Sequence, residues 1–212
     1  SRDNRLAAIS YFGTFAVYFL TLALAIMAYP AWWLSAPLII INAFAGVRLY
    51  VLQHDLGHNS LFATKRLNSI AGYVSSVFTL TPFTVMQFNH NEHHSHLGNL
   101  EARATTEIFT MTLQEWREAS FWKRLSYRIY RNPFLMIPIG GIYTYVFAYR
   151  WPKNTARIAP WQVMANNIAI IVWVALIWAI VGVPGLIVYA WTVFAAACIG
   201  VFLVYLQHNF ED

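Results

Sequence analysis

Four long apolar runs dominate the chain, and its polar residues gather between and after them. The first run covers roughly 9–28, ISYFGTFAVYFLTLALAIMA. About 20 apolar residues cross a bilayer as a helix, so this run predicts a span. It contains an Ala23-x-Ala25 pair of the kind found at cleavage sites, but it exceeds the 7–15 residues of a signal-peptide core. Pro30 and the Trp32-Trp33 pair then suit a turn at the membrane interface. A second run, roughly 33–52, leads into QHDLGH. A third covers roughly 163–182, and Pro184-Gly185 is expected to break it from a fourth, roughly 186–206, which leads into QHNFED.

Two further apolar stretches, roughly 69–88 and 133–149, are poorer candidates for spans. If the first crossed alone, the histidines at 54 and 58 would face the opposite compartment from those at 90, 93 and 94. If the second crossed alone, Arg150, Lys153 and Arg157 would be exported. Both contain proline, so both are expected to dip into or lie along the interface. Between them, residues 113–132 mix Trp116, Phe121, Trp122 and Tyr127 with Arg and Lys. That pattern suits a helix resting on anionic headgroups. The expected fold is all-α: a polytopic membrane protein of four transmembrane helices, a cytoplasmic helical cap and interfacial helices, forming one domain over 1–212.

Composition agrees. Charged residues make up 11% of the chain and hydrophobic ones 58%, where soluble domains carry about 25% charged. Mean hydropathy is +0.48. The net charge of +5 is modest and fits a lipid-facing role, not a nucleic-acid surface. Eleven of the fourteen Lys and Arg lie between 53 and 162, and none lies in the turns near 29–32 and 182–185. By the positive-inside rule the central segment and both termini are expected to be cytoplasmic, with a bacterial inner membrane as the expected location. The single cysteine, Cys198, excludes an internal disulfide and a cysteine-based zinc or iron–sulfur site.

All seven histidines fall in three short boxes: His54 and His58, then His90, His93, His94 and His96, then His208. Residues four apart share a helix face. At about 100° per residue, His90, His93 and His94 also fall on one narrow face, while Glu92 and His96 point away. If both segments are helical, His54, His58, His90, His93 and His94 can converge on one metal, and imidazole ligates zinc, copper, iron and nickel. His54 and His58 follow the second apolar run and His208 follows the fourth, so the boxes are expected to meet just outside the bilayer.

HDLGHNSLF (54–62), HNEHHSHLGNLE (90–101) and YLQHNFED (205–212) resemble the membrane fatty acyl desaturase family, nearest a bacterial Δ12/ω6-like acyl-lipid branch. TMTLQEW (110–116) and RLSYRIYRNPF (124–134) resemble that branch too. The resemblance implies a non-haem diiron centre, held mainly by histidines on a cytoplasmic cap over four spans. It implies a reaction that uses O2 and two electrons to place a cis double bond in a lipid acyl chain. The electrons would come from ferredoxin or a small cytochrome. His54, His58, His90, His93 and His94 match the family's first two boxes, and His208 matches a further ligand position. Neutral imidazoles resist a strong oxidant better than thiolates. Asp55, Glu92 and Glu101 are candidates for orienting the imidazoles, and His96 for a role beside the ligands and not among them. The family's last HxxHH box has no counterpart among these residues, so the chain is expected to be a fragment, incomplete at its C-terminus and inactive alone. Rival readings are a sister hydroxylase, ketolase or alkane monooxygenase, a bis-histidine haem electron-transfer protein, and a metal transporter. The transporter would place its ligands near the bilayer midplane.

Overall fold

The computed structural model describes residues 3–96, 109–150 and 158–207, with the side chains of all but 92–96 and 207. Among the described residues there are helices and turns and no strand. Four helices are long and apolar enough to cross a membrane: α1 (Asn4–Ala28), α2 (Trp32–Gly57), and the later pair α8 (Pro160–Val181) and α9 (Val183–Gln207). Each covers one of the expected spans. Their surfaces confirm the solvent they are built for. Met27 and Ile180 are each 79% exposed, and bulky apolar side chains such as Phe12, Trp161 and Ile171 join them. An apolar surface of this extent is untenable in water.

α1 begins at Asp3, whose carboxylate accepts from the amides of Arg5 and Leu6, satisfying donors that a helix start leaves orphaned. α1 and α2 form an antiparallel pair joined by Tyr29–Ala31. Lipid offers no partner for buried polar groups, so small polar side chains bridge the helices. Ser35 donates to the Ala25 carbonyl (2.9 Å), and Asn42 donates to the Tyr18 carbonyl and to Thr21 Oγ1. Nearer the histidine end, Arg48 donates to Thr14 Oγ1 and Ser10 Oγ.

The third and fourth spans separate differently from the sequence expectation. The helix breaks at Gly182, at φ 74°, and not at Pro184-Gly185. Pro184 instead occupies the first turn of α9, where a missing N–H loses nothing. Gly185 permits the tight reversal: a Cβ there would lie 2.9 Å from Ile177 Cγ2.

Between the two pairs of spans lies the cap. The stretch expected over 69–88 is two helices, α3 (Lys65–Phe78) and α4 (Phe83–His96), bent by 106° at Thr79–Pro82. This is an elbow that turns back, not a straight crossing. Leu80 in the elbow has φ 55°, a left-handed conformation that disfavours a branched side chain. Its carbonyl accepts from Arg150, which also donates to Asn167 Oδ1 (2.6 Å). Burial holds the Arg150 pKa down to about 10 while Tyr149 and Tyr189 pull it back up, so it remains cationic at neutral pH.

The single helix expected over 113–132 is also two: α5 (Leu113–Glu118) and α6 (Phe121–Tyr130). Thr112 and Glu115 form a capping box at the start of α5, and Ser120 caps α6 through the Lys123 amide. The second cap stops one helix and starts the next. α7 (Pro133–Ile142) continues through a π turn to Phe147 and a 3-10 turn to Arg150, and packs on α9. Gly141 allows that approach, since a Cβ would come within 3.1 Å of the Ala197 backbone.

Candidate metal centre

The histidine box of α2 emerges where the apolar run ends. His54 lies in the last turn of α2, and His58 is its C-cap with helical backbone angles, its amide donating to the His54 carbonyl. The backbone leaves the helix only at Asn59, with φ 55°. Both histidines therefore keep the four-residue spacing that puts them on one face. The facing residue is His90, on α4. Its Nε2 lies 3.0 Å from His54 Nε2 and 2.8 Å from His58 Nε2. The three rings sit 4.3–4.7 Å apart between centroids at interplanar angles of 71–79°, so their edges converge and their faces do not stack.

Hydrogen bonding alone satisfies this cluster poorly. A ring nitrogen carries either one proton or one in-plane lone pair. His90 Nε2 meets two other Nε2 atoms at contact distance, and one proton or one lone pair must then be shared between them. A cation resolves the conflict by drawing all three lone pairs to one point. Separations of 2.8 and 3.0 Å would bring the nitrogens within reach of one metal at bond lengths of about 2.0–2.1 Å. His54, His58 and His90 thus form a group able to hold a metal, with candidate ligand atoms all within 4.8 Å of one another. The donor set, all imidazole, suits iron, copper, zinc or nickel.

Asp55 occupies the position expected of an orienting carboxylate. Its Oδ1 lies 3.5 Å from His54 Nδ1, the ring nitrogen turned away from the cluster. That is longer than a hydrogen bond and acts as a charge contact. Glu92, His93, His94 and His96 lie on α4, whose backbone is helical through His96, so the condition for the facing argument is met. Their side chains lie outside the described residues, as do Glu101 and His208 entirely. α9 packs along α2: a Cβ added at Gly46 would lie 3.7 Å from the Ala196 Cβ, and Tyr18, Gly46, Tyr50, Tyr145, Ala196 and Gly200 line a small apolar cavity of about 50 Å³.

Sequence reasoning missed two glutamines. Gln53, directly before His54, is fully buried among Ser76, Thr79 and Thr81. Gln87, three residues before His90, donates to the Gly57 carbonyl at 2.6 Å. Their only sequence signal is a long amide beside each histidine box.

A bundle of four apolar helices, with histidines from the end of α2 and from α4 converging, defines an integral membrane protein with a candidate metal centre. The sequence profile of the family described as fatty acid desaturase matches residues 30–212, and the chain belongs to that family. It is 34% identical over 206 residues to a fatty acid desaturase of Bacillus subtilis, covering 96% of this chain and 57% of that protein. It is 24% identical over 160 residues to the sn-1 acyl-lipid omega-3 desaturase (ferredoxin) of a Nostoc species, 68% of this chain and 38% of that one. A Delta(12) fatty acid desaturase of Mortierella alpina is 28% identical over 74 residues, 35% of this chain and 17% of its own length. The chain thus spans little more than half the length of the Bacillus relative. No solved structure matches it.

Proposed function

We propose that the chain is the membrane core of a fatty acyl desaturase whose histidines hold a non-haem diiron centre. The reaction takes one hydrogen from each of two adjacent methylenes of a lipid acyl chain. With O2, two electrons and two protons it yields a cis double bond and two waters. The observation that carries the reading is the convergence of His54, His58 and His90 through their Nε2 atoms in a chain of this family.

The proposed ligands are His54, His58, His90, His93, His94 and His208. When bound, iron supplies the oxidising power that an unactivated methylene demands. The residues themselves do the placing. α2 and α4 hold the imidazoles at the rim of the bundle, and the Asp55 carboxylate stands beside His54. The proposed electron donor is a ferredoxin-type carrier, in keeping with the ferredoxin-dependent relative from Nostoc. The boxes and both termini are assigned to the cytoplasmic side, which the distribution of basic residues supports.

The test is to express the full natural protein in a bacterial host and analyse lipid acyl chains by gas chromatography and mass spectrometry. New cis double bonds, lost when His90 is replaced by alanine, are the expected result. A hydroxylated product, or an unchanged acyl profile from iron-loaded protein, would overturn the reading.

A further inference from the structure

Two amides link the two histidine-bearing helices: one on α2 reaches the segment that precedes α4, and one on α4 reaches the end of α2. Gln53 is completely buried. Its Nε2 donates to Ser76 Oγ (3.1 Å) and to the Thr81 carbonyl (2.8 Å), and its Oε1 accepts from Thr79 Oγ1 (2.6 Å). Three of the four bonds a carboxamide can make are formed, one to the end of α3 and two to the elbow from which α4 starts. Thr81 stands two residues before Phe83, the first residue of α4. The same elbow holds Leu80 in its left-handed conformation, a state that persists only where the surroundings over-determine it. Gln53 fastens one side of the elbow, and Arg150 the other.

Gln87 fastens α4 farther along. Its amide donates to the carbonyl of Gly57, the last residue of α2. That carbonyl is among those a helix end leaves without an intrahelical partner. Gly57 adjoins His58, and Gln87 lies one turn before His90 on the same side of α4. One amide therefore ties the α2 end that carries His58 to the α4 turn that carries His90.

We propose that Gln53 and Gln87 form a clasp that sets the separation of the two histidine boxes, and that both are positioning residues for the metal centre. The inference rests on the metal-site reading above. Gln53 fixes where α4 begins, and Gln87 fixes its height and rotation against α2. Nε2 separations of 2.8–3.0 Å leave little tolerance: a shift of about 1 Å carries His90 out of range of one partner. The clasp uses neutral amides, which hold geometry without adding charge beside ligands that must stay neutral to coordinate.

The test uses Co(II) alone as the probe, titrated into the 212-residue chain in detergent and followed by its visible absorption. Gln87→Met and Gln53→Met keep side-chain length and remove the amide, with the exposed Gln114→Met as the control. Loss of groups that orient ligands typically lowers metal affinity about 10–100-fold. Both clasp variants are expected to weaken Co(II) binding by that factor and, at saturation, to shift the band energies and intensities. A role confined to stability would lower the melting temperature and leave the saturated spectrum unchanged, which would overturn the proposal. Gln87 is only partly buried, so Gln87→Met carries the test if Gln53→Met fails to fold. Cobalt binding that is lost in His90→Ala but wild-type in affinity and spectrum in both clasp variants would sink the clasp alone. No binding by the wild type, or binding indifferent to His90→Ala, would sink the metal-site reading and the clasp with it.

Discussion

At the scale of single residues, His90 is the pivot. It is the imidazole whose Nε2 meets both His54 and His58. Replacing His90 by alanine is therefore expected to lower metal affinity by more than the roughly 10–100-fold attached to orienting groups, and to bring metal content near background by elemental analysis. His96→Ala is expected to keep most of the metal. By helical periodicity its position lies six residues, about 240° around the axis, from that of His90, on a backbone that is helical over that range. Equal metal loss in the two variants would refute the facing argument. Asp55→Asn keeps the shape and removes the charge beside His54 Nδ1. It is expected to weaken metal binding about tenfold, and an unchanged affinity would leave Asp55 as a solvated surface charge. The box spacing was legible here because the contact between residues four apart is local to one helix. The partner of that face, thirty-odd residues away in the chain, was legible only as a possibility conditional on two helices forming.

At the scale of elements, the α3–α4 elbow decides whether the site assembles. Its tightest packing is Gly72 against Phe83, where a Cβ would fall 2.4 Å from the ring. Phe83 is buried and opens α4, so the ring cannot yield without moving the helix. Gly72→Ala is expected to destabilise the protein by about 1–3 kcal/mol, the usual range for overpacking, and to reduce metal retention in parallel. Denaturant unfolding paired with metal analysis checks both. A destabilised protein with full metal affinity would show that α4 is positioned independently of α3. The elbow was only half visible in the sequence. Proline at 82 marked a break, but a 106° turn depends on Gln53 and Arg150 reaching in from other helices. The break between α5 and α6 did have a local signal, Thr112 with Glu115 and then Ser120. An unbroken amphipathic pattern across 113–132 masked it.

At the scale of the whole molecule, four apolar helices set the frame, and the eleven basic residues between 53 and 162 favour one side of the membrane for the segment that joins them. Lys65 at the start of α3 and Arg117 in α5 are then expected to share one side of the membrane. Single cysteines beside them, in a Cys198→Ala background, should react with an impermeant maleimide only in inverted vesicles. Labelling of one from outside the cell and the other from inside would break the common site apart, because no single centre can then draw on both boxes.

The sequence by itself determined the four spans, the all-α class and the histidine boxes. Each rests on short-range physics: a run of about 20 apolar residues must satisfy its own backbone in lipid, and a four-residue spacing puts two side chains on one helix face. The tertiary structure alone decided where the elbow bends, that the helix breaks at Gly182 and not at Pro184-Gly185, and which nitrogen atoms meet. The elbow and the meeting of the nitrogens depend on contacts between residues far apart in the chain, such as Gln53 with Thr81, Gln87 with Gly57 and Arg150 with Leu80, whereas the break at Gly182 rests on the positive φ of a glycine. A polar side chain in an apolar run announces that it needs a partner, but only the packed helices determine which one it finds.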